Sequence, residues 1–246
     1  MKLTVRKRQV GEIPLLEVVP QEQIHDRLPL VIYYHGWQTR KELVLTQGRK
    51  LAAKGIRVIL PDADNHGERL RPVSPIVSQT FWSSIYSNLF EFEYLLEYFQ
   101  KLNLVTDKIG VGGVSMGGMT TCGLLTQHPE ITAAACIMGT PSPTAYREYM
   151  LKRATKEQVK LPKDFQKLLS WVESYDLSLH PETLHNRPLY FWHGRQDEKI
   201  PFEDVADFVA KHPKLRLTFV NEDANHLVQV STMEAVAEFF AQQLRN

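Results

Sequence analysis

Cysteine is scarce in this chain: two in 246 residues, Cys122 and Cys136, each set among apolar neighbours. Nothing points to a disulfide framework, and each thiol is expected to act as a small buried hydrophobe. An excess of charge of one sign is lacking too. The 29 Lys and Arg against 28 Asp and Glu leave a formal net charge of +1, too little for the basic field that a dedicated nucleic-acid surface needs. The one basic cluster, Arg6-Lys7-Arg8, alternates with apolar residues and is expected to be a solvated strand face. No apolar run approaches the length that crosses a bilayer. The N-terminus, Met1 to Arg8, has no apolar core of a secretory signal. A cytoplasmic protein without nucleic-acid or membrane partners is the expectation. Metal-ligand spacing such as His-Glu-x-x-His is missing, as is a phosphate-cradling glycine loop, so no metal and no cofactor are expected. Repeats and low-complexity linkers are also absent, which predicts one domain over residues 1–246.

What the chain does have is a composition suited to one large α/β domain. With 43% apolar and 23% charged residues, it carries enough core for a sheet covered on both faces. Short, nearly continuous apolar runs predict strands at Leu30 to Tyr34, Ile56 to Leu60, Ile109 to Val114, Ala133 to Met138, Leu189 to Trp192 and Leu215 to Val220. Leu3 to Val19 predicts two strands joined near Gly11, an antiparallel hairpin at a sheet edge. Helical patterns lie between the runs. One covers Lys41 to Lys54, with Gly55 as a stop. Another covers Thr80 to Leu102, where Ile85, Leu89, Phe92, Leu96 and Phe99 share a face. A last one covers Ser231 to Leu244. This alternation predicts a mostly parallel sheet with right-handed crossovers. About fifty residues separate the run at Met138 from that at Leu189, longer than a βα connection needs. Helices are expected there near Tyr146 to Lys156 and Pro162 to Tyr175, the second with Phe165, Leu168, Leu169 and Val172 on one face. Residues 141–186 are expected to form a small cap over the site, or else a peripheral helix pair.

The most informative pentapeptide is Gly113-Val114-Ser115-Met116-Gly117. It follows an apolar run and precedes a helical stretch from Met116 to Thr126, the strand–turn–helix layout of a nucleophile elbow. The glycines suit a strained turn in which flanking side chains would strike neighbouring backbone. A serine hydroxyl needs a base to take its proton and a third group to orient that base. Hydrolases with this elbow order them serine, acid, histidine. Asp197 follows the strand Leu189 to Trp192, and His226 follows the strand Leu215 to Val220 in the loop before the final helix. All three candidates thus lie at carboxyl ends of strands, where open parallel sheets bind ligands. Asp223, Asp204 and Glu198 are the alternative acids. His35 and His193 suit turns or a supporting role, His66 lies in a loop, and the other histidines are expected at the surface. For an oxyanion, the N–H of Met116 at the helix start is one expected donor. The N–H of Trp37, in the loop after Tyr34, is the other.

Taken together, His35-Gly-Trp37, Pro61-Asp62 with His66-Gly67, Gly113 to Gly117, His193-Gly-x-x-Asp197 and Asn225-His226 resemble the α/β-hydrolase superfamily. The chain is similar to its small bacterial esterases, in the prolyl-oligopeptidase-like and dienelactone-hydrolase-like branch and of the kind found in Bacillus. The resemblance implies an α/β-hydrolase fold with an eight-stranded, mostly parallel sheet flanked by helices, and a serine hydrolase mechanism. Ser115 departs from the cysteine nucleophile of dienelactone hydrolases and points to an esterase. The chain has no room for the propeller domain of a prolyl oligopeptidase. The expected function is hydrolysis of short-chain or compact carboxylic esters through an acyl-enzyme, with a small-molecule ester as the partner. A thioesterase or transacylase using the same three residues is the alternative, and a non-catalytic binding module is a third reading.

Overall fold

The computed structural model describes residues 1–71 and 77–245. Eight strands form one sheet: β1 (Leu3–Val10), β2 (Ile13–Pro20), β3 (Leu28–Tyr34), β4 (Arg57–Pro61), β5 (Val105–Val114), β6 (Ile131–Ile137), β7 (Leu189–Gly194) and β8 (Leu217–Glu222). Their spatial order is β1-β2-β4-β3-β5-β6-β7-β8. The pairs β1–β2 and β2–β4 are antiparallel and the rest are parallel. From β2 to β7 the strands are buried on both faces, as unbroken apolar runs demand. At the β1 edge, burial alternates instead.

The helices are α1 (Leu45–Ala52), α2 (Val77–Lys101), α3 (Met116–Gln127), α4 (Pro143–Lys156), α5 (Phe165–Leu168), α6 (Phe202–Lys211) and α7 (Val230–Leu244). They build two cores, one on each face of the sheet. The larger contains Ile85, Leu89, Phe92, Leu96 and Phe99 of α2, the stripe expected from spacing, with α3 buried between α2 and the strands. The smaller packs Leu51 and Ala52 of α1 and Val236 and Phe240 of α7 on the opposite face. Among the described residues, no helix is long and apolar enough to cross a membrane.

Several expectations are corrected. The stretch Lys41 to Lys54 is a 3-10 turn over Lys41–Val44 followed by α1. The expected helix from Pro162 to Tyr175 is broken into α5 and a 3-10 turn over Ser170–Tyr175. That tightening leaves Leu168 exposed while Phe165, Leu169 and Val172 are buried. β8 begins and ends two residues later than expected, because β7 continues to Gly194 and pairs residue for residue as far as Glu222. The helix α6 went unforeseen, although Val205 and Phe208 mark its buried face. Finally, Arg6 and Arg8 are not a solvated face. Both turn towards the fully buried Glu17, which also pairs with the buried Arg57. Arg57 is in turn held by the carbonyls of Leu104, Ile24 and Asp26 at 2.9–3.1 Å. One carboxylate and a ring of carbonyls thereby satisfy a buried cation that would otherwise be strongly destabilising.

Candidate active site

At β3 the strand order reverses: β4 lies on one side and β5 on the other. Such a reversal opens a crevice at the carboxyl ends of the strands. Ser115 sits there, between β5 and α3, with φ 57° and ψ −116°. A non-glycine residue in that region carries a strain of about 1–3 kcal/mol. The surroundings enforce it. The Ser115 N–H donates to the Ile137 carbonyl at 2.8 Å, and the Met119 N–H donates to the Ser115 carbonyl at 3.0 Å. The flanking glycines let the turn close. A Cβ at Gly113 would lie 2.5 Å from the Gly117 backbone, and one at Gly117 would lie 2.3 Å from the Tyr34 carbonyl oxygen.

The structure brings Ser115, His226 and Asp197 into one hydrogen-bonded line. Ser115 Oγ is 2.8 Å from His226 Nε2, and His226 Nδ1 is 2.6 Å from Asp197 Oδ2. Proton placement follows from the partners. A carboxylate only accepts, so Nδ1–H donates to Asp197 and Nε2 accepts from the serine hydroxyl. The Asp197 side chain is fully buried. Burial opposes its charge, yet hydrogen bonds from His193 and His226 and from the Ile200 N–H hold the carboxyl well below the usual range. The Lys199 and Ile200 N–H groups, at 2.8 and 3.0 Å, fix its Oδ1. The alternative acids are engaged elsewhere: Asp223 with Arg195, and Asp204 with the Thr140 hydroxyl at 3.2 Å.

Trp37 lies in the loop leaving β3, which runs directly over the serine. A Cβ built on Gly36 would be 3.5 Å from Ser115 Cβ. Met116 opens α3, where first-turn N–H groups have no intrahelical partner.

A family model described as the alpha/beta hydrolase fold matches residues 29–187. The chain belongs to the α/β-hydrolase family. YitV of Bacillus subtilis (strain 168) is 33% identical to this hydrolase over 251 residues, spanning 97% of this chain and 98% of its own. YjfP of Escherichia coli (strain K12) is 28% identical over 248 residues, spanning 98% and 100%. Both are named in terms of esterase activity. In fold, the hydrolase is similar to TT1662 from Thermus thermophilus, with a TM-score of 0.79 at 20% identity and 100% of each chain covered.

Three histidines of this α/β-hydrolase support the site: His35 and His193 in the supporting role expected of them, and His66, which was expected only in a loop. His193 is fully buried at the end of β7, and its Nε2–H is shared between the Ile200 carbonyl at 3.0 Å and Asp197 Oδ2 at 3.2 Å. Asp197 thus accepts from two imidazoles. The four-residue spacing of His193 and Asp197 across a strand end was the available signal. His66, expected only in a loop, is buried and accepts the Gln38 N–H at 3.0 Å, while its Nδ1–H donates to the Asp64 carbonyl at 2.9 Å. His35 accepts the Ala63 N–H through Nε2 at 3.0 Å and donates through Nδ1 to the Gly36 carbonyl at 2.8 Å. Burial pushes the His35 pKa down to about 4 and lowers that of His66, so both are neutral at pH 7. Their acceptor nitrogens tie the loop from Gly36 to Thr39 to the segment after β4. Gln38 is held there at φ 56°.

A cavity of about 1060 Å³ opens above Ser115 and His226. It spans the carboxyl edge of the sheet. The larger-core side is walled by Trp37, Phe81, Trp82, Tyr146, Met150 and Phe165. The Tyr146 ring of α4 lies tilted against Phe81 and Trp82, with ring centroids 5.9 and 6.2 Å apart. Arg153, Glu157, Lys160 and Lys199 bring charge to the same wall.

Proposed function

We propose that this α/β-hydrolase is a serine carboxylesterase acting on small-molecule esters in the cytoplasm. The observation that carries the reading is the line Asp197–His226–Ser115, with separations of 2.6 and 2.8 Å, on the floor of a largely apolar cavity. The esterase names of the two relatives agree with it.

In this reading His226 takes the Ser115 proton as the oxygen attacks the ester carbonyl. The N–H groups of Trp37 and Met116 hold the oxyanion. Protonated His226, stabilised by Asp197, then gives its proton to the leaving alcohol. Water, activated by the same imidazole, releases the acid and restores Ser115. The whole chain acts as one domain, and residues 141–186 serve as a cap. Support for the cap is the share of the cavity wall supplied by α4 and α5, between Tyr146 and Phe165. The charge brought by Arg153, Lys160 and Lys199 favours short-chain or compact soluble esters over long lipids.

The test is hydrolysis of p-nitrophenyl esters from acetate to palmitate by wild type and Ser115→Ala side by side. Turnover of the short esters, reduced at least about 10³-fold in the variant, is expected. Turnover that survives in Ser115→Ala sinks the mechanism. Faster turnover of palmitate than of butyrate sinks the chain-length reading alone.

A further inference from the structure

Positive charge is unevenly spread in this chain, and a dense stretch of it lies over the cavity. Between Met150 and Lys167 there are six Lys or Arg against two Asp or Glu, a net of +4 in a chain whose total is +1. This stretch holds the end of α4, the turn after it and most of α5, and it supplies part of the wall above Ser115. Four charged side chains reach the wall: Arg153, Glu157, Lys160 and, from the turn after β7, Lys199. All four residues are exposed, so they stand at the mouth of the cavity and not on its floor. Arg153 Nε donates to Glu157 Oε1 at 2.8 Å, and the two charges offset each other. Lys160 and Lys199 make no ion pair among the described residues. Cations in the last turn of a helix offset its dipole, which accounts for Arg153 and Lys156. Lys160 and Lys199 lie outside α4 and have no such role.

The two lysines come from separate elements that the fold joins at the mouth. The Tyr149 hydroxyl of α4 donates to the Glu198 carbonyl at 3.4 Å, which ties the 141–186 segment to the turn after β7. Arg153 and Glu157 follow Tyr149 at four-residue spacing, on the same side of the chain. Across that tie, the Lys199 N–H donates to Asp197 Oδ1 at 2.8 Å, so the Lys199 backbone is fixed beside the acid. Glu198 of the same turn is exposed but does not line the cavity.

Charges of one sign above low-dielectric walls focus the field and raise the local concentration of ligands of the other sign. Most of the remaining wall is apolar, so a charge on the substrate finds its counterpart at the mouth. We propose that the preferred substrates are esters carrying an anionic group, such as a carboxylate, remote from the scissile bond and held by Lys160 and Lys199. This rests on the ester-hydrolase reading above. Both lysines are specificity-determining residues, and neither touches the reacting atoms.

The experiment compares kcat/KM for monomethyl esters of dicarboxylic acids with methyl esters of the matching monocarboxylic acids, which puts the anion on the acyl side. A second series sets acetates of ω-hydroxy acids against plain alkyl acetates and puts it on the alcohol side. At low salt, wild type is expected to favour the anionic member of at least one series by about fivefold or more, the scale of two exposed ion pairs. Raising the ionic strength from about 0.01 to about 0.5 M should erase most of that ratio. Lys160→Gln and Lys199→Gln should each lower it, and the double variant Lys160→Glu with Lys199→Glu should invert it. A ratio within each protein cancels any general loss of rate. A wild type that does not favour the anionic ester in either series overturns the proposal, as does a preference that persists in the double variant or at high salt. Cleavage of p-nitrophenyl acetate but of neither anionic series overturns the proposal alone. If wild type cleaves none of these esters, the ester-hydrolase reading itself fails, and this inference with it.

Discussion

Asp197 lies against two imidazoles, His226 Nδ1 at 2.6 Å and His193 Nε2 at 3.2 Å. Replacing His193 by Leu removes one of the donors that hold the carboxylate ionised and in place. A fall in kcat of about tenfold with little change in KM is expected, the scale of one hydrogen bond. His193→Gln keeps a donor and should recover most of that rate. Wild-type kcat in His193→Leu would mean that His193 only packs the strand end. The serine is legible at this scale for a different reason. Its turn demands glycine on both sides, and that demand is written locally in the chain. The partners of His193, His35 and His66 are not, because a histidine before a glycine carries no mark of which distant N–H or carbonyl it will meet.

The strand–turn–helix unit from β5 to α3 depends on close backbone approach, and this gives a sharp test at the level of the element. Alanine in place of glycine inside a helix ordinarily stabilises by about 0.5–1 kcal/mol. At Gly117 the added Cβ would lie 2.3 Å from the Tyr34 carbonyl oxygen, a backbone atom that cannot step aside without moving β3. Gly117→Ala is therefore expected to destabilise by about 1–3 kcal/mol, and to lower kcat as the serine is displaced. Urea denaturation checks the sign: a midpoint equal to or above wild type would show that the elbow is looser than this contact implies. Elements with long apolar periodicity, such as α2, are readable from sequence because packing and pattern agree. The short α6 and the break after Leu168 are less so. In α6 only Val205 and Phe208 are fully buried, a signal too brief to stand out from a loop. After Leu168 the choice between α and 3-10 winding is made by the surface on which Leu169 and Val172 land.

For the molecule as a whole, three partly or fully buried groups set opposing trends in stability with pH. Asp197 has a depressed pKa, so its contribution is present above the ordinary value of 3.8 and is lost as pH falls further. His35 is depressed to about 4 from 6.5. The unfolded chain takes up that proton first, and stability is lost as pH falls through the window from 6.5 to 4. Asp204 runs the other way. Burial raises it from 3.8 to about 6, with only the Thr140 hydroxyl and nearby His193 favouring its charge. The folded state therefore prefers the neutral acid, and stability is lost as pH rises from 3.8 through about 6. Asp204→Asn is expected to stabilise the protein at pH 7–8 relative to wild type, with the advantage shrinking below pH 5. Urea midpoints of both proteins from pH 4 to 8 provide the check, and a difference that does not change with pH would contradict the assignment.

The sequence by itself determined the strands, most helices, the mostly parallel sheet and the serine turn, because each is encoded within a few neighbouring residues by apolar spacing or by glycine. It also placed Ser115, Asp197 and His226 after three strands, each at an end that a parallel sheet turns to one side. Only the tertiary structure decided which groups meet. His226 is 29 residues from Asp197 and 111 from Ser115 in the chain, so their separations depend on β5, β6, β7 and β8 lying side by side in register. The same assembly draws Asp204 to Thr140 and Asp223 to Arg195, and sets α1 against α7 through Lys50–Glu234 and Lys54–Glu238. A contact between distant segments costs chain entropy and is fixed by packing on both partners at once. No window of sequence contains both sides of that packing.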